Sequence, residues 1–296
     1  MTNKKVAFMG LGIMGSRMAK NLQSAGTPLI VHNRTKEKAE ALLTHGAEWA
    51  ETPKAAAESA DIVFTMLSNP QIVEEVAFQE EGLLAGLKPG ALWVDVSTVN
   101  PSFSETMAQE ASSRGIRFLD APVSGSLVPA EKGELIFLVG GDQKDFDEAL
   151  PYFDIMGKAS HFMGNNGKGS AMKILINLML AQNMVVFSET VHLGTAMGLS
   201  QEVVVDTLLN HPVAAPILKG KRDKITQNEF SPEFPLKHMQ KDLHLVATTA
   251  FEHNYAMPLA NAAKELYAQA KQHGLGDSDM SAIFKWLEKN SATTNE

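Results

Sequence analysis

The segment Gly10-Leu11-Gly12-Ile13-Met14-Gly15 joins an apolar run, Val6-Ala7-Phe8-Met9, to a helical pattern over residues 14–25 that closes at Gly26. A strand that turns on glycines directly into a helix leaves few architectures open. Gly10 permits the tight turn, Gly12 lets a pyrophosphate approach the backbone, and Gly15 allows the helix to pack close on the strand. The N–H groups at the helix start then meet the phosphates. Glycine turns alone are common and carry little information. Here a strand precedes, a helix follows, and a second strand, Leu29-Ile30-Val31-His32, comes at the right distance. The turn is therefore predicted to be a dinucleotide loop, with Gly10, Leu11, Gly12, Ile13, Met14 and Gly15 as cofactor contacts.

Further apolar runs without alternation follow at 61–67, 91–96, 117–120 and 135–139, with helical patterns over 36–44 and 102–114. Such runs suit strands covered on both faces by helices. Repeated strand–helix–strand units require right-handed crossovers, hence a doubly wound parallel sheet of Rossmann type. Beyond Gly164 the pattern becomes helical throughout. A single helix is expected over 168–197, stopped by Gly198, and Ser200 caps the next over 201–209. Helices over 236–253 and 258–272 follow, and Asp277 is expected to cap a last one through 287, leaving 291–296 as a frayed tail. The fold class is α/β: a Rossmann-type domain over 1–163 and an all-α domain over 164–296, joined by a long interdomain helix.

Composition excludes several alternatives. The 296 residues carry 26 basic and 34 acidic side chains, a net charge of −8, which argues against nucleic acid as a partner. With no cysteine there is no disulfide framework, thiol catalysis or thiolate zinc site, and the histidines show no metal-centre spacing. Lys4-Lys5 before an apolar run mimics a secretory signal, but no small-residue cleavage site follows. The apolar run at 174–187 is too short to span a bilayer and carries Asn177, Gln182 and Asn183. A cytoplasmic protein with no membrane span is expected.

The tip of the second strand bears on which dinucleotide fits. An NAD site places Asp or Glu there for the ribose hydroxyls, whereas this chain has Asn33-Arg34-Thr35. A guanidinium can stack on adenine and pair with a 2′-phosphate, and Thr35 adds a hydroxyl. NADP(H) is predicted over NAD(H), with Asn33, Arg34 and Thr35 as contacts; the competing view makes Arg34 a solvated loop charge. Met66, Leu67 and Ser68, at the end of the third strand, complete the expected cofactor set.

Lys173 and Asn177 lie four apart, on one face of the long helix, after the glycine-rich Gly164-Asn165-Asn166-Gly167-Lys168-Gly169. A desolvated lysine beside a flexible glycine loop can hand a proton to a carbonyl oxygen as hydride reaches the carbon. Asn177 could hold that lysine or the substrate oxygen. Most lysines are merely surface charges. Ser97-Thr98 and Ser124-Gly125-Ser126 stand at strand carboxyl ends, where open α/β sheets bind ligands. Ser124 could receive a carboxylate, or belong to an ordinary turn. Lys241-Asp242 on a later helix would mean nothing by itself if exposed, and Met172, Met179 and Met184 read as core fillers.

Together these residues resemble the β-hydroxyacid dehydrogenase family, which includes 3-hydroxyisobutyrate dehydrogenases. The resemblance rests on the glycine loop, Asp120-Ala121-Pro122-Val123-Ser124-Gly125, the Gly164–Asn177 pattern and Lys241-Asp242-Leu243, and spans nearly the whole chain. It implies a cleft between the domains, Lys173 as proton donor and Asn177 as its partner. Ser124 and Gly125 would bind substrate, Thr98 would lie near substrate and nicotinamide, Lys241 would line the cofactor and substrate site, and Asp242 would support it. It also implies a homodimer or homotetramer. Where many members have a further glycine and a Gly-Ala pair, this chain has Ser126 and Pro129-Ala130-Glu131. That variant, with 153–158 and Phe234-Pro235-Leu236-Lys237-His238, is similar to the glyoxylate/succinic semialdehyde reductase branch, where Phe234 would wall the aldehyde pocket. The implied activity is NADPH-dependent reduction of small aldehyde acids to hydroxy acids. The alternatives are a 3-hydroxyisobutyrate or other 3-hydroxyacid dehydrogenase working oxidatively and a non-catalytic NADPH-binding scaffold.

Overall fold

The computed structural model describes residues 4–291. Of the tail expected from Ser291 onward, Ser291 ends the last helix and 292–296 lie outside the described residues. By its internal contacts the chain divides into two compact units, Met1–Ile174 and Leu175–Glu296.

In the first unit, strand β1 (Val6–Met9) leads into α1 (Gly15–Ser24), then β2 (Leu29–His32). A 3₁₀ turn and α2 (Glu40–Thr44) precede a two-residue β3 (Glu48–Trp49) and α3 (Pro53–Glu58). Then come β4 (Ile62–Thr65), α4 (Pro70–Phe78), α5 (Leu83–Gly86), β5 (Leu92–Asp95) and α6 (Pro101–Ser112). The unit continues with β6 (Arg117–Asp120), β7 (Val123–Ser124), α7 (Leu127–Lys132), β8 (Leu135–Gly140), α8 (Gln143–Met156) and β9 (Gly157–Gly164).

The strands order as β3-β2-β1-β4-β5-β6-β8-β7, with β9 added beside β8. From β3 to β6 all pairings are parallel. The expected parallel sheet needs one correction beyond β6: β8 runs antiparallel to both β6 and β7, and β9 runs parallel to β8. The short β7–α7 excursion reverses the chain without a full crossover, so β8 returns in the opposite direction. Along β1, Val6 and Phe8 enter one core layer with Phe64 and Phe153, while Ala7 and Met9 enter the other with Val63 and Trp93. That two-sided burial is why the strand sequences are apolar without alternation. Connections reverse direction between β1 and β4, which makes the carboxyl ends of those strands the switch point at which such sheets bind ligands.

Helix α9 (Lys168–Ala196) has 29 residues and rises roughly 43 Å. Its first turns belong to the first unit and the rest to the second. It is long and apolar enough to cross a membrane by length and composition, with half of the relevant window buried within the protein. The second unit continues with α10 (Gln201–Asn210), α11 (Arg222–Thr226), α12 (Leu236–Glu252), α13 (Pro258–Ala270) and α14 (Ile283–Ser291). The Ser200 hydroxyl does cap α10, accepting the Val203 N–H. The expected Asp277 cap is a misreading by two residues: Asp279 caps the 3₁₀ turn that opens the last helix, and Asp277 pairs with Lys237 instead. Met184 is buried as expected, but Met172 and Met179 are exposed, so they do not fill the core.

Candidate functional site

The three loop glycines serve different ends. Gly10 has φ +97°, and a Cβ there would fall 2.3 Å from the Met66 carbonyl oxygen. At Gly15 a Cβ would fall 1.9 Å from the Gly10 oxygen and 3.2 Å from the Phe8 ring. Around Gly12 no heavy atom lies within 4 Å of that position, which leaves room for a group to lie against the backbone. Asn33 braces the loop from below: its Oδ1 accepts the Leu11 N–H at 2.9 Å and its Nδ2 donates to the Thr35 oxygen at 2.8 Å. Arg34 and Thr35 are exposed, and Arg34 pairs with no acidic side chain among the described residues.

Behind Met66, Leu67 and Ser68 lies a buried network that sequence reasoning missed. Asp95 Oδ1 accepts from the hydroxyls of Thr65 (2.7 Å) and Ser97 (2.6 Å), and the Trp93 indole donates to Thr65 at 2.9 Å. Ser97 Oγ in turn accepts the Leu67 N–H at 2.9 Å, which fixes the backbone just past β4. Thr98 is half-buried at the carboxyl end of β5. Ser124 ends β7 half-buried. Gly125 follows at φ +129°, where a Cβ would stand 3.1 Å from Pro129 and 2.8 Å from Leu135. The variant Pro129 therefore packs directly behind the Ser124-Gly125 turn.

The glycine-rich entry to α9 is not the flexible loop expected. Gly167 has φ +87°, and a Cβ there would meet the Glu105 side chain at 3.0 Å. At Gly169 it would lie 2.2 Å from the Leu138 oxygen and 2.6 Å from the Asp120 oxygen, so the helix start is wedged onto β6 and β8. Asp120 Oδ1 accepts the Gly167 N–H and Oδ2 the Ser170 N–H, each at 2.8 Å. Burial pushes its carboxyl up to about 6, although these N–H bonds pull in the other direction. The Ser104 and Ser170 hydroxyls meet at 2.8 Å, and the Asn166 amide donates to the Phe118 oxygen at 3.0 Å. Lys173, three residues beyond Ser170, is only 9% exposed.

In the second unit, Asn177 and Asp242 are both buried, and Asn177 Nδ2 donates to Asp242 Oδ2 at 2.6 Å. The Lys241 ammonium sits 2.9 Å from Asp242 Oδ1, an ionic approach without hydrogen-bond alignment. The Lys241-Asp242 pair is thus no mere surface feature. Phe234 is half-buried in the turn before α12. Its N–H and that of Glu233 both donate to Asp279 Oδ2 at 3.1 Å, and Met280 N–H donates to the Phe234 oxygen at 2.8 Å. Burial raises the Asp279 carboxyl, but the Lys221 ammonium and the Ser281 hydroxyl outweigh it and hold it below the usual range. Burial, with Lys241 nearby, lowers His238. Among the described residues no group of His, Asp and Glu could hold a metal ion.

The predicted residues thus fall into two sets. Gly10–Gly15, Asn33–Thr35, Met66–Ser68, Thr98, Ser124, Gly125 and Lys173 belong to the first unit. Asn177, Phe234, Lys241 and Asp242 belong to the second. The supporting roles of Asp95, Asp120 and Asp279 were not read from sequence, although Asp120 opens one of the motifs behind the resemblance; their common signal is an acidic residue at the end of an apolar strand or before a helix.

Comparison with known proteins places the chain in a family. Residues 5–164 match the family model for the NAD binding domain of 6-phosphogluconate dehydrogenase. Residues 167–287 match that for the NAD-binding region of NADP-dependent 3-hydroxyisobutyrate dehydrogenase. Glyoxylate/succinic semialdehyde reductase 2, chloroplastic, of Arabidopsis thaliana is 39% identical, spanning 96% of this chain and 79% of that protein. The cytokine-like nuclear factor N-PAC of Homo sapiens is 36% identical over 96% of this chain, but only 51% of its own length is covered. Among solved structures, 3-hydroxyisobutyrate dehydrogenase of Mycobacterium tuberculosis with L-serine superposes with a TM-score of 0.88 at 28% identity, covering 96% of this chain and 99% of that one. Psf3 in complex with NADP+ and 2-OPP gives 0.86 at 26% identity, covering 95% and 99%.

Proposed function

The chain belongs to the β-hydroxyacid dehydrogenase family related to 3-hydroxyisobutyrate dehydrogenase, as an NAD(P)-dependent oxidoreductase, and on that premise we propose that it reduces small aldehyde acids with NADPH. Glyoxylate and succinic semialdehyde are the substrates this reading assigns, following the activity in the name of its Arabidopsis relative. The observation that carries it is the buried Lys173 on α9.

The loop fits a dinucleotide, since Gly12 alone among the three glycines faces open space. Gly10–Gly15 would hold the pyrophosphate, Met66, Leu67, Ser68 and Thr98 would flank the nicotinamide end, and Arg34 with Thr35 would take the 2′-phosphate. NADPH supplies the hydride when bound. The chain's part is the proton: the Lys173 ammonium gives one to the carbonyl oxygen as that carbon is reduced, leaving a hydroxyl and a neutral amine. Ser124 and Gly125 receive the substrate carboxylate, and Lys241 adds a cation for it. Asn177, whose amide nitrogen donates to Asp242, would hold the lysine or the substrate oxygen. Phe234 forms the apolar wall. A homodimer or homotetramer is supported by the exposed apolar residues Leu175, Met179, Val186 and Leu193 along α9.

Lys173→Ala is expected to lower reductive turnover roughly 10²–10⁴-fold with NADPH affinity nearly unchanged. Unimpaired turnover would remove the lysine from the chemistry and favour the scaffold reading, which the likeness to N-PAC keeps in view. A substrate panel followed at the NADPH absorbance band separates aldehyde acids from 3-hydroxyisobutyrate oxidised in reverse. Arg34→Asp is expected to raise the KM for NADPH at least ten-fold more than that for NADH (about 1.4 kcal/mol). Equal effects would place the phosphate elsewhere.

A further inference from the structure

We propose that Asp120 is the positioning residue for Lys173: from the end of β6 its carboxylate supplies the cap that Gly167 cannot, and so fixes the rotation of α9 at the lysine. This inference rests on the proton-donor reading of Lys173.

The first α-helical bond of α9 runs from the Ala171 N–H to the Gly167 oxygen at 2.9 Å, which makes Gly167 the N-cap residue. An N-cap side chain ordinarily accepts the N–H three residues on, and a side chain at that third position reaches back to the cap's own N–H. Gly167 has no side chain, and its φ of +87° with Glu105 against it leaves no place for one. Asp120 performs both halves of this exchange from another element, taking the Gly167 N–H on one oxygen and the Ser170 N–H on the other. Both bonds are buried. The positive end of the helix dipole favours the ionised carboxylate there.

Lys173 follows Ser170 by three residues, within the same turn. If those N–H groups lose their acceptors, a helix start satisfies them by tightening toward 3₁₀ geometry, which turns each following residue by roughly 20° more than an α-helix does. A long side chain carries that rotation to its tip. Misplacement of a reacting group by about 1 Å can cost on the order of 10²-fold in rate. Asp120 touches neither substrate nor cofactor in this scheme; it acts through the helix.

The test is a double-mutant cycle on the full chain: wild type, Asp120→Asn, Lys173→Ala and the double variant, assayed with NADPH and whichever aldehyde acid the wild type turns over fastest. Turnover is expressed per NADPH site, counted by fluorescence titration, so that any misfolded fraction drops out. Asp120→Asn is expected to lower kcat about 10–100-fold. The KM for the aldehyde and the Kd for NADPH should stay within about two-fold. Added to Lys173→Ala, it should cost less than about two-fold more, because both changes remove the same positioned ammonium. Additive losses in the double variant, or an unchanged kcat per site in Asp120→Asn beside an impaired Lys173→Ala, would overturn the inference alone. An unimpaired Lys173→Ala would take down the proton-donor reading first and this inference with it.

Discussion

Asp120 in the first unit and Asp279 in the second do the same mechanical work with opposite electrostatics. Each is buried, each takes backbone N–H groups at the start of a helical segment, and each stands behind residues assigned to the site. Asp120 draws on neutral donors, and among the described residues no cation pairs with it; burial pushes it up to about 6. Asp279 has the Lys221 ammonium 3.0 Å from its Oδ1, and is held below the ordinary carboxyl range. A buried carboxylate can be made to hold a loop either way, but only the second arrangement makes ionisation an asset to stability.

The largest expected effect breaks that contrast by removing the cation. Lys221→Met leaves Asp279 as an uncompensated buried charge and should cost about 3–5 kcal/mol in urea unfolding at neutral pH. A loss below about 1 kcal/mol would mean that the N–H donors suffice at both sites. Next in size is a difference in pH dependence. Asp120 holds its proton more tightly when folded, so its contribution makes the protein less stable as pH rises from about 4 to about 6. Across that window the stability of wild type minus that of Asp120→Asn should fall by up to about 3 kcal/mol. A flat difference would show that the backbone donors fully offset burial. Asp279 runs the other way: its contribution is present above the ordinary carboxyl range and is lost as pH falls through the lowered value. Smallest is Ser281→Ala, which removes a hydroxyl donating to Asp279 Oδ1 at 2.7 Å and should cost about 1 kcal/mol. A cost exceeding that of Lys221→Met would make that hydroxyl, not Lys221, the chief partner.

The sheet's centre was legible because β1, β2, β4, β5, β6 and β8 are buried along most of their length, so each carries adjacent apolar residues without alternation. Strand β9, Gly-Lys-Ala-Ser-His-Phe-Met-Gly, escaped because most of its residues are exposed or half-exposed and its pattern is polar. Helix α8 escaped too, with Pro151 in its interior, where proline ordinarily argues against a helix. Lys173 and Asn177 could be read as one helix face because a spacing of four is a local property. The Asp120 cap could not, since it joins residues 47 and 50 positions apart, and no periodicity reports a contact of that kind. Gly167 and Gly169 were seen but taken for slack; β6 and β8 leave Gly169 no room, and a positive φ with Glu105 close by disfavours a side chain at Gly167.

The open space beside Gly12 has a consequence for how the loop's history can be read. At its two companions, larger residues are forbidden by the protein's own atoms, so folding alone is reason enough for glycine there. At Gly12 the polypeptide raises no objection of its own to a methyl group. Whatever excludes one must come from outside the chain, and an alanine at that position would act as a steric gauge of the visitor.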